Sequence, residues 1–173
     1  MSEPHGKVDR TSAAAVRHRN ADLDTAVLAL AETVPPDRLH AVPPGDEWSP
    51  AHVLAHLGEF PLFFAAELRR WHGDRSAAVG RTHEHTGRLA AVSDGAVGPA
   101  SLAELTSQIR AAFAALAEAL ELLADGDLAA TMQNVNYGEE PLTAFLHRYV
   151  IGHKAGHLRQ LEAMLARPEA TQP

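Results

Sequence analysis

Apolar residues recur every three or four positions in four long segments of the chain, which is the period of amphipathic α-helices. The first segment predicts a helix over about 11–34, ended by a Pro-Pro pair. The second begins near residue 50, because Ser49 is a favourable N-cap residue and Pro50 suits the first helical position. Pro61 lies inside this second helix and cannot donate a backbone hydrogen bond, which predicts a kink.

The third and fourth segments predict two further helices. Ser101 and Glu104 have the spacing of a capping box, and the apolar period that follows predicts a helix over about 101–124. The fourth helix is predicted from about residue 142. Its apolar stripe consists of Leu146, Val150, His153, His157, Leu161 and Met164.

The remaining segments carry little regular pattern. The connection at 72–99 is rich in Gly, His and charged residues, and we expect one short helical piece in it, at about 82–91. No strand pattern of useful length is present. Four long helices without a repeat predict an all-α protein, a single four-helix bundle over 11–166, with flexible tails at 1–10 and 167–173.

Charge and hydropathy restrict the classes of partner. The 173 residues carry a formal net charge of −7 and no basic run, which argues against a nucleic-acid partner. No apolar stretch approaches the roughly 18 residues of a transmembrane helix, and the first residues lack the apolar core of a signal peptide. We therefore expect a cytoplasmic protein with no membrane partner.

Histidine is the residue type that says most about the chemistry of this chain. The chain has 11 histidines and no cysteine, so any metal has to be bound through nitrogen and oxygen. His153 and His157 lie one helical turn apart on the inward stripe of the fourth helix. Two imidazoles in a core are costly without partners, which favours a shared ion. The alternative is a pair of core histidines satisfied by neighbouring carbonyl or carboxylate groups.

His56 is the candidate for a third ligand. It shares a helix face with Val53 and Phe60, and metal sites in bundles are built from facing helices. Three imidazoles leave open positions for water or substrate, as in catalytic sites. His52 also has a partner four residues away, but it lies nearer the polar start of the helix, so His56 is preferred.

Two segments resemble signatures of the DinB/YfiT-like proteins. Residues 48–57 place a Trp-Ser pair before a Val-Leu-x-His-Leu element, and residues 138–161 end with His-x-x-x-His followed by Gln-Leu. The resemblance implies a bundle of up-down-down-up topology with a metal held by His56, His153 and His157. The related mycothiol-dependent maleylpyruvate isomerases have Glu where this chain has His153, which weakens the case for isomerase chemistry.

The resemblance also implies a chemistry. Three neutral imidazoles leave the charge of a divalent ion, zinc or nickel in first place, uncompensated, so an anion such as thiolate is expected to bind. Characterised relatives are similar to S-transferases that use bacillithiol or mycothiol. Because the chain has no cysteine, we expect a low-molecular-weight thiol as substrate, transferred to a small electrophile in detoxification or stress response. A homodimer through exposed apolar residues is compatible with a bundle of this size.

Two other functions stay open at this point. A metal-dependent hydrolase would use hydroxide as the nucleophile and a nearby acid or base, for which Glu59 is the candidate catalytic residue. A supporting or solvated role for Glu59 is the simpler reading. The third alternative is a stress protein that binds a metal without turnover.

Several further polar residues have no assigned role. Asn20 interrupts an apolar stripe and either lines the pocket or bonds to a buried backbone group. Three histidines follow the second helix. They could form a second metal site or a lid contact, and the simpler interpretation is that they are surface residues of a loop. These histidines are His72, His83 and His85, and the unassigned residues near the fourth helix are Asn136, Tyr137 and Tyr149.

Overall fold

A computed structural model describes residues 12–167 of the protein. The tail predicted at 1–10, and all but the first residue of the tail predicted at 167–173, lie outside the described residues. The helices are α1 (Ala13–Ala31), α2 (Pro50–Gly73), α3 (Thr86–Ala91), α4 (Asp94–Val97), α5 (Leu102–Glu121), α6 (Leu142–Phe145) and α7 (His153–Ala166). Within the described part, no helix combines the length and hydropathy needed to cross a membrane.

The predicted helix starts agree with the caps that form. Ser49 caps α2 by accepting from the backbone of His52, and Ser101 caps α5 in a capping box with Glu104. Pro61 lies within an unbroken α2, and the kink predicted there stays a prediction. The short helical piece expected at 82–91 is confirmed in its second half, as α3.

A β-hairpin precedes the last helix, although no strand was predicted from the sequence. Strand β1 (Thr131–Asn134) pairs antiparallel with β2 (Gly138–Pro141). Each strand has only four residues, too few for an alternating pattern to stand out. Gly138 has a φ of +74°, a value that favours glycine and closes the three-residue loop.

The fourth predicted helix is continuous but not α-helical throughout. A π-helical segment, Leu146–Gly152, lies between α6 and α7. A Cβ atom at Gly152 would lie 2.9 Å from the carbonyl oxygen of His147, which explains why a residue without a side chain stands there. Such π-helical insertions are frequent at functional sites, and this one leads directly into His153.

Contacts between helices give the direction of α2 relative to α5. Gly58 faces the Cβ of Gln108, and farther along both helices Arg69 donates to the Glu118 carboxylate. Residue numbers rise together along the pair, so α2 and α5 are parallel. The long connection at 74–101, which includes α3 and α4, returns the chain to the end of the bundle where α5 begins.

The other pairs complete the topology. Arg17 in α1 donates to the Leu123 carbonyl just beyond α5, while Glu32 just after α1 accepts from Arg110, so these two helices are antiparallel. On α7, His153 contacts His56, and α7 also packs along α1. The chain is a four-helix bundle of up-down-down-up topology, in which α1, α5, α2 and α7 follow one another around the core.

The buried apolar residues form two clusters, one toward each end of the bundle. On α2, Leu57 belongs to one cluster and Phe60 to the other. On α7 and the π-helical segment, Leu161 and Val150 are divided in the same way. His56, His153 and His157 therefore lie at the boundary between the two halves of the core.

Candidate metal centre

The three predicted ligands come together. One ring nitrogen each of His56, His153 and His157 lies within 4.8 Å of the other two. The Nε2 atoms of His56 and His153 are 3.0 Å apart. One turn of α7 separates His153 from His157, and His56 reaches them from the antiparallel α2. Among the described residues, this is the only group of three or more potential ligands with such convergence.

The second nitrogens of these rings differ in their contacts. His157 Nδ1 is 2.8 Å from the side-chain oxygen of Gln160, a contact that fixes the tautomer and leaves Nε2 free to act as a ligand. His56 Nδ1 is buried without a hydrogen-bond partner. A carboxylate oxygen of Glu59 lies 3.9 Å from this nitrogen. This spacing is too long for a hydrogen bond, so the ring of His56 is incompletely satisfied in the protein alone.

Burial keeps the imidazoles neutral. Desolvation, followed by the nearby charge of His157, lowers the pKa of His56 to about 3. Desolvation with the same neighbour lowers the pKa of His153 to about 2. Desolvation also lowers the pKa of His157, against the bond to Gln160. Neutral imidazole is the form that binds metal, and the three nitrogens with one unsatisfied ring fit a divalent ion.

Aromatic rings hold the imidazoles in place. Phe60 stacks on His153 with ring centroids 3.5 Å apart and planes 9° from parallel. Trp48 stacks on His157 and meets His56 edge-on. These contacts restrict rotation of the imidazole rings. Trp48 is part of the sequence signature, but its contacts with His56 and His157 were not predicted.

Glu59 is engaged in a buried ion pair. Both its carboxylate oxygens accept from the guanidinium of Arg81, one of them at 2.6 Å. The Arg81 side chain is 5% exposed and also lies over the ring of Phe63. The candidate acid or base is therefore held by a fixed cation beside His56, and its proposed catalytic role stays a prediction.

The other histidines have separate positions. His52 bonds to Ser49 through Nδ1 and to Asp94 through Nε2, so both of its nitrogens are used at the start of α2. His83 lines the cavity described below, and the ring of His85 packs against Phe63. His72 is exposed near the end of α2. Residues 12–167 contain no second group of three or more convergent ligands.

Asn20 belongs to a second buried polar cluster. Its side-chain oxygen accepts from Lys154 Nζ at 2.7 Å, and its amide donates to Asp24. Lys154 also donates to Asp24 and lies over the ring of Phe113. Asn20 thus bonds to side chains rather than to the backbone, and it is not among the residues that line the cavity at the three imidazoles.

A cavity of about 560 Å³ opens onto the imidazoles, which is the size of a small-molecule site. The connection after α2 and the β-hairpin form part of its wall. The lining residues are Trp48, His56, Phe60, Phe64, Arg81, Thr82, His83, Arg88, Asn136, Tyr137, Arg148, Tyr149, His153 and His157. The three arginines were not predicted as site residues, because they are far apart in the chain and belong to no motif.

Comparison with known protein families identifies the superfamily of the chain. The sequence pattern of the DinB superfamily matches residues 22–161. The chain belongs to the DinB superfamily. The match includes all three imidazoles of this DinB superfamily protein. Comparison with curated proteins gives no match.

Three solved structures share the fold. YfiT from Bacillus subtilis, described as a probable metal-dependent hydrolase with an unusual four-helix bundle topology, is 12% identical, with a TM-score of 0.69 and coverage of 96% of this chain and 95% of YfiT. An uncharacterised protein from Clostridium difficile 630 is 12% identical, with a TM-score of 0.67 and coverage of 91% and 96%. The sibling lethal factor precursor DfsB is 13% identical, with a TM-score of 0.68 and coverage of 92% and 100%.

Proposed function

We propose that this DinB superfamily protein is a metal-dependent enzyme that transfers a low-molecular-weight thiol of the mycothiol or bacillithiol type to a small electrophile. The observation that carries the proposal is the convergence of three neutral imidazoles on a cavity of small-molecule size. The chain has no cysteine, so the sulfur nucleophile has to enter as a substrate. Zinc and nickel both suit a site of three imidazoles.

His56, His153 and His157 would hold the ion. A divalent metal bound there would lower the pKa of a coordinating thiol and so favour the nucleophilic form. Gln160 keeps His157 in one tautomer, and Phe60 and Trp48 keep the imidazoles oriented.

The state of Glu59 favours a thiol over water as the nucleophile. The carboxylate of Glu59 is held in a bidentate ion pair with Arg81. It is therefore less available to accept a proton from a substrate. Transfer of a thiol needs no separate general base where the thiol pKa is already lowered. Glu59 then holds Arg81 at the cavity wall, without a hydrogen bond to His56.

A metal-dependent hydrolase is the second candidate. It is supported by the shared fold with YfiT, described as a probable metal-dependent hydrolase, and by the position of Glu59 within one helical turn of His56. In this alternative, Glu59 would leave Arg81 and take a proton from water during attack on an ester or amide. The two candidates use the same imidazoles and differ in the nucleophile.

The test combines metal analysis with two assays on protein purified without a histidine tag. We expect about one metal ion per chain and conjugation of monochlorobimane that depends on an added thiol, with chloride as the leaving group and the thiol proton released to solvent. The double variant H153A/H157A should lose both the metal and the conjugation. The matched control is H18A/H147A, which removes two exposed histidines.

The outcomes separate the candidates. Cleavage of an ester or amide without thiol, lost in E59Q, would favour the hydrolase and contradict the transferase. Stoichiometric metal without turnover in either assay would favour the metal-binding protein. Metal retained by H153A/H157A would contradict all of these proposals.

A further inference from the structure

The cavity wall has a charge opposite to that of the whole protein. The chain has a formal net charge of −7, yet the described residues that line the cavity include three arginines and no Asp or Glu. Glu59 and Glu140, which form ion pairs with two of these arginines, are not among the lining residues. A cavity of this kind attracts anions. To bind one directly, it needs a cation that has no carboxylate partner within the protein.

Two of the three arginines are already paired. Arg81 forms its bidentate ion pair with Glu59, and Arg148 donates to both carboxylate oxygens of Glu140 at 2.8 Å. The guanidinium of Arg148 also lies 3.9 Å from the ring centre of Tyr137. Both cations therefore have their charge compensated and their orientation fixed by groups of the protein.

Arg88 is different. Its guanidinium donates to the backbone carbonyl of His83 at 2.9 Å, and no carboxylate lies within ion-pair distance among the described residues. It is half-buried on α3, at the cavity wall. It lines the same cavity as His56, His153 and His157.

We propose that Arg88 binds the carboxylate of a small organic acid, whose apolar part lies against Phe60, Phe64 and Tyr149. A guanidinium binds a carboxylate through parallel charge-assisted hydrogen bonds, and one unpaired Arg matches one carboxylate. The three rings line the same cavity, which gives the remainder of the molecule an apolar surface. The inference deepens the proposed function, on which it rests, by giving the chemical class of one substrate.

The experiment measures binding of 3-phenylpropionate and of its neutral counterpart, 3-phenylpropanamide, to the zinc-loaded full-length protein by calorimetry. We expect the acid to bind more tightly than the amide. The R88A variant should bind the acid at least about tenfold more weakly, as expected for a lost charge-assisted hydrogen bond, with unchanged affinity for the amide. The R88K variant should recover part of the affinity, because it keeps the charge without the planar fork.

The matched control is R110A, which removes an exposed arginine that pairs with Glu32 outside the cavity. It should bind both probes as the unchanged protein does. Equal affinity of R88A and the unchanged protein for the acid would overturn the proposal, as would equal affinity for acid and amide. Tighter binding of phenyl phosphate than of phenylpropionate would overturn the carboxylate assignment. Calorimetry measures binding without turnover. A protein that fails the transferase assay can therefore still confirm or contradict the role of Arg88.

Discussion

Two buried polar clusters lie on two different faces of α7, one against α2 and one against α1, and they show two uses of burial. His153 and Lys154 are neighbours in the sequence, yet His153 faces α2 and Lys154 faces α1. Lys154, Asn20 and Asp24 bond to one another, so each side chain has a partner. The imidazoles on the other side retain a buried nitrogen without a hydrogen bond.

This difference separates a structural cluster from a binding site. Burying a polar group costs free energy unless its hydrogen bonds are satisfied. The Lys154 cluster meets that condition within the protein, and it ties α7 to α1. The imidazole cluster meets it only in part, and it opens onto a cavity. A ligand is the natural source of the missing interactions on that side.

The largest expected effect is on the imidazole side. Zinc at about a thousand times its Kd should raise the free energy of unfolding by about 4 kcal/mol, because the ion binds the folded state. The double variant H153A/H157A should show no such increase, whereas H18A/H147A should behave as the unchanged protein. The measurement is urea denaturation with and without zinc. An equal gain in H153A/H157A would contradict the assignment of the ligands.

The next effect concerns the satisfied cluster. K154M should lower the free energy of unfolding by about 3 kcal/mol, because it leaves the carboxylate of Asp24 buried without its cation. This value is the low end of the range for breaking a buried ion pair, because 16% of the Asp24 side chain is exposed. The double variant K154M/D24L should recover most of the loss in urea denaturation at pH 7. A loss in K154M below 1 kcal/mol would mean that the pair contributes little.

The smallest effect is a pH dependence of the metal-free protein. Burial lowers the pKa values of His56 and His153 below the ordinary histidine value of 6.5. The unfolded chain therefore binds more protons as the pH falls through 6.5, and stability that is present above that value is lost toward pH 3. Between pH 7 and 5.5 we expect a loss on the order of 2 kcal/mol.

Urea denaturation at several pH values measures this loss, and H153A/H157A should show a smaller one. A free energy of unfolding in the unchanged metal-free protein that stays constant from pH 7 to 5.5 would contradict neutral burial of the imidazoles.

Periodicity and caps predicted most of the fold. The stripes of α1, α2 and α5 and the caps at Ser49 and Ser101 depend on neighbours close in sequence, which is why local pattern was sufficient. The hairpin was not predicted, because its strands are too short for a period to appear. The π-helical segment was not predicted either, since its apolar spacing is close to that of an α-helix and only the backbone hydrogen bonds distinguish them.

The candidate site was predictable in part. His56, His153 and His157 could be selected because they interrupt apolar stripes, and side chains on inward stripes of a bundle converge. Whether each polar side chain has a partner could not be predicted. The pairing of Glu59 with Arg81 joins residues from α2 and from an irregular connection, whose path depends on tertiary packing.

By itself, the sequence determined the helices, the absence of any thiol in the chain and the three imidazoles that face inward, because these follow from composition and local periodicity. Only the tertiary structure decided which buried polar groups are satisfied. It joined Lys154 to α1, paired Glu59, Arg81 and Arg148 within the protein, and left Arg88 without a carboxylate. The reason is that hydrogen bonding and charge compensation depend on distances between groups that are remote in the chain.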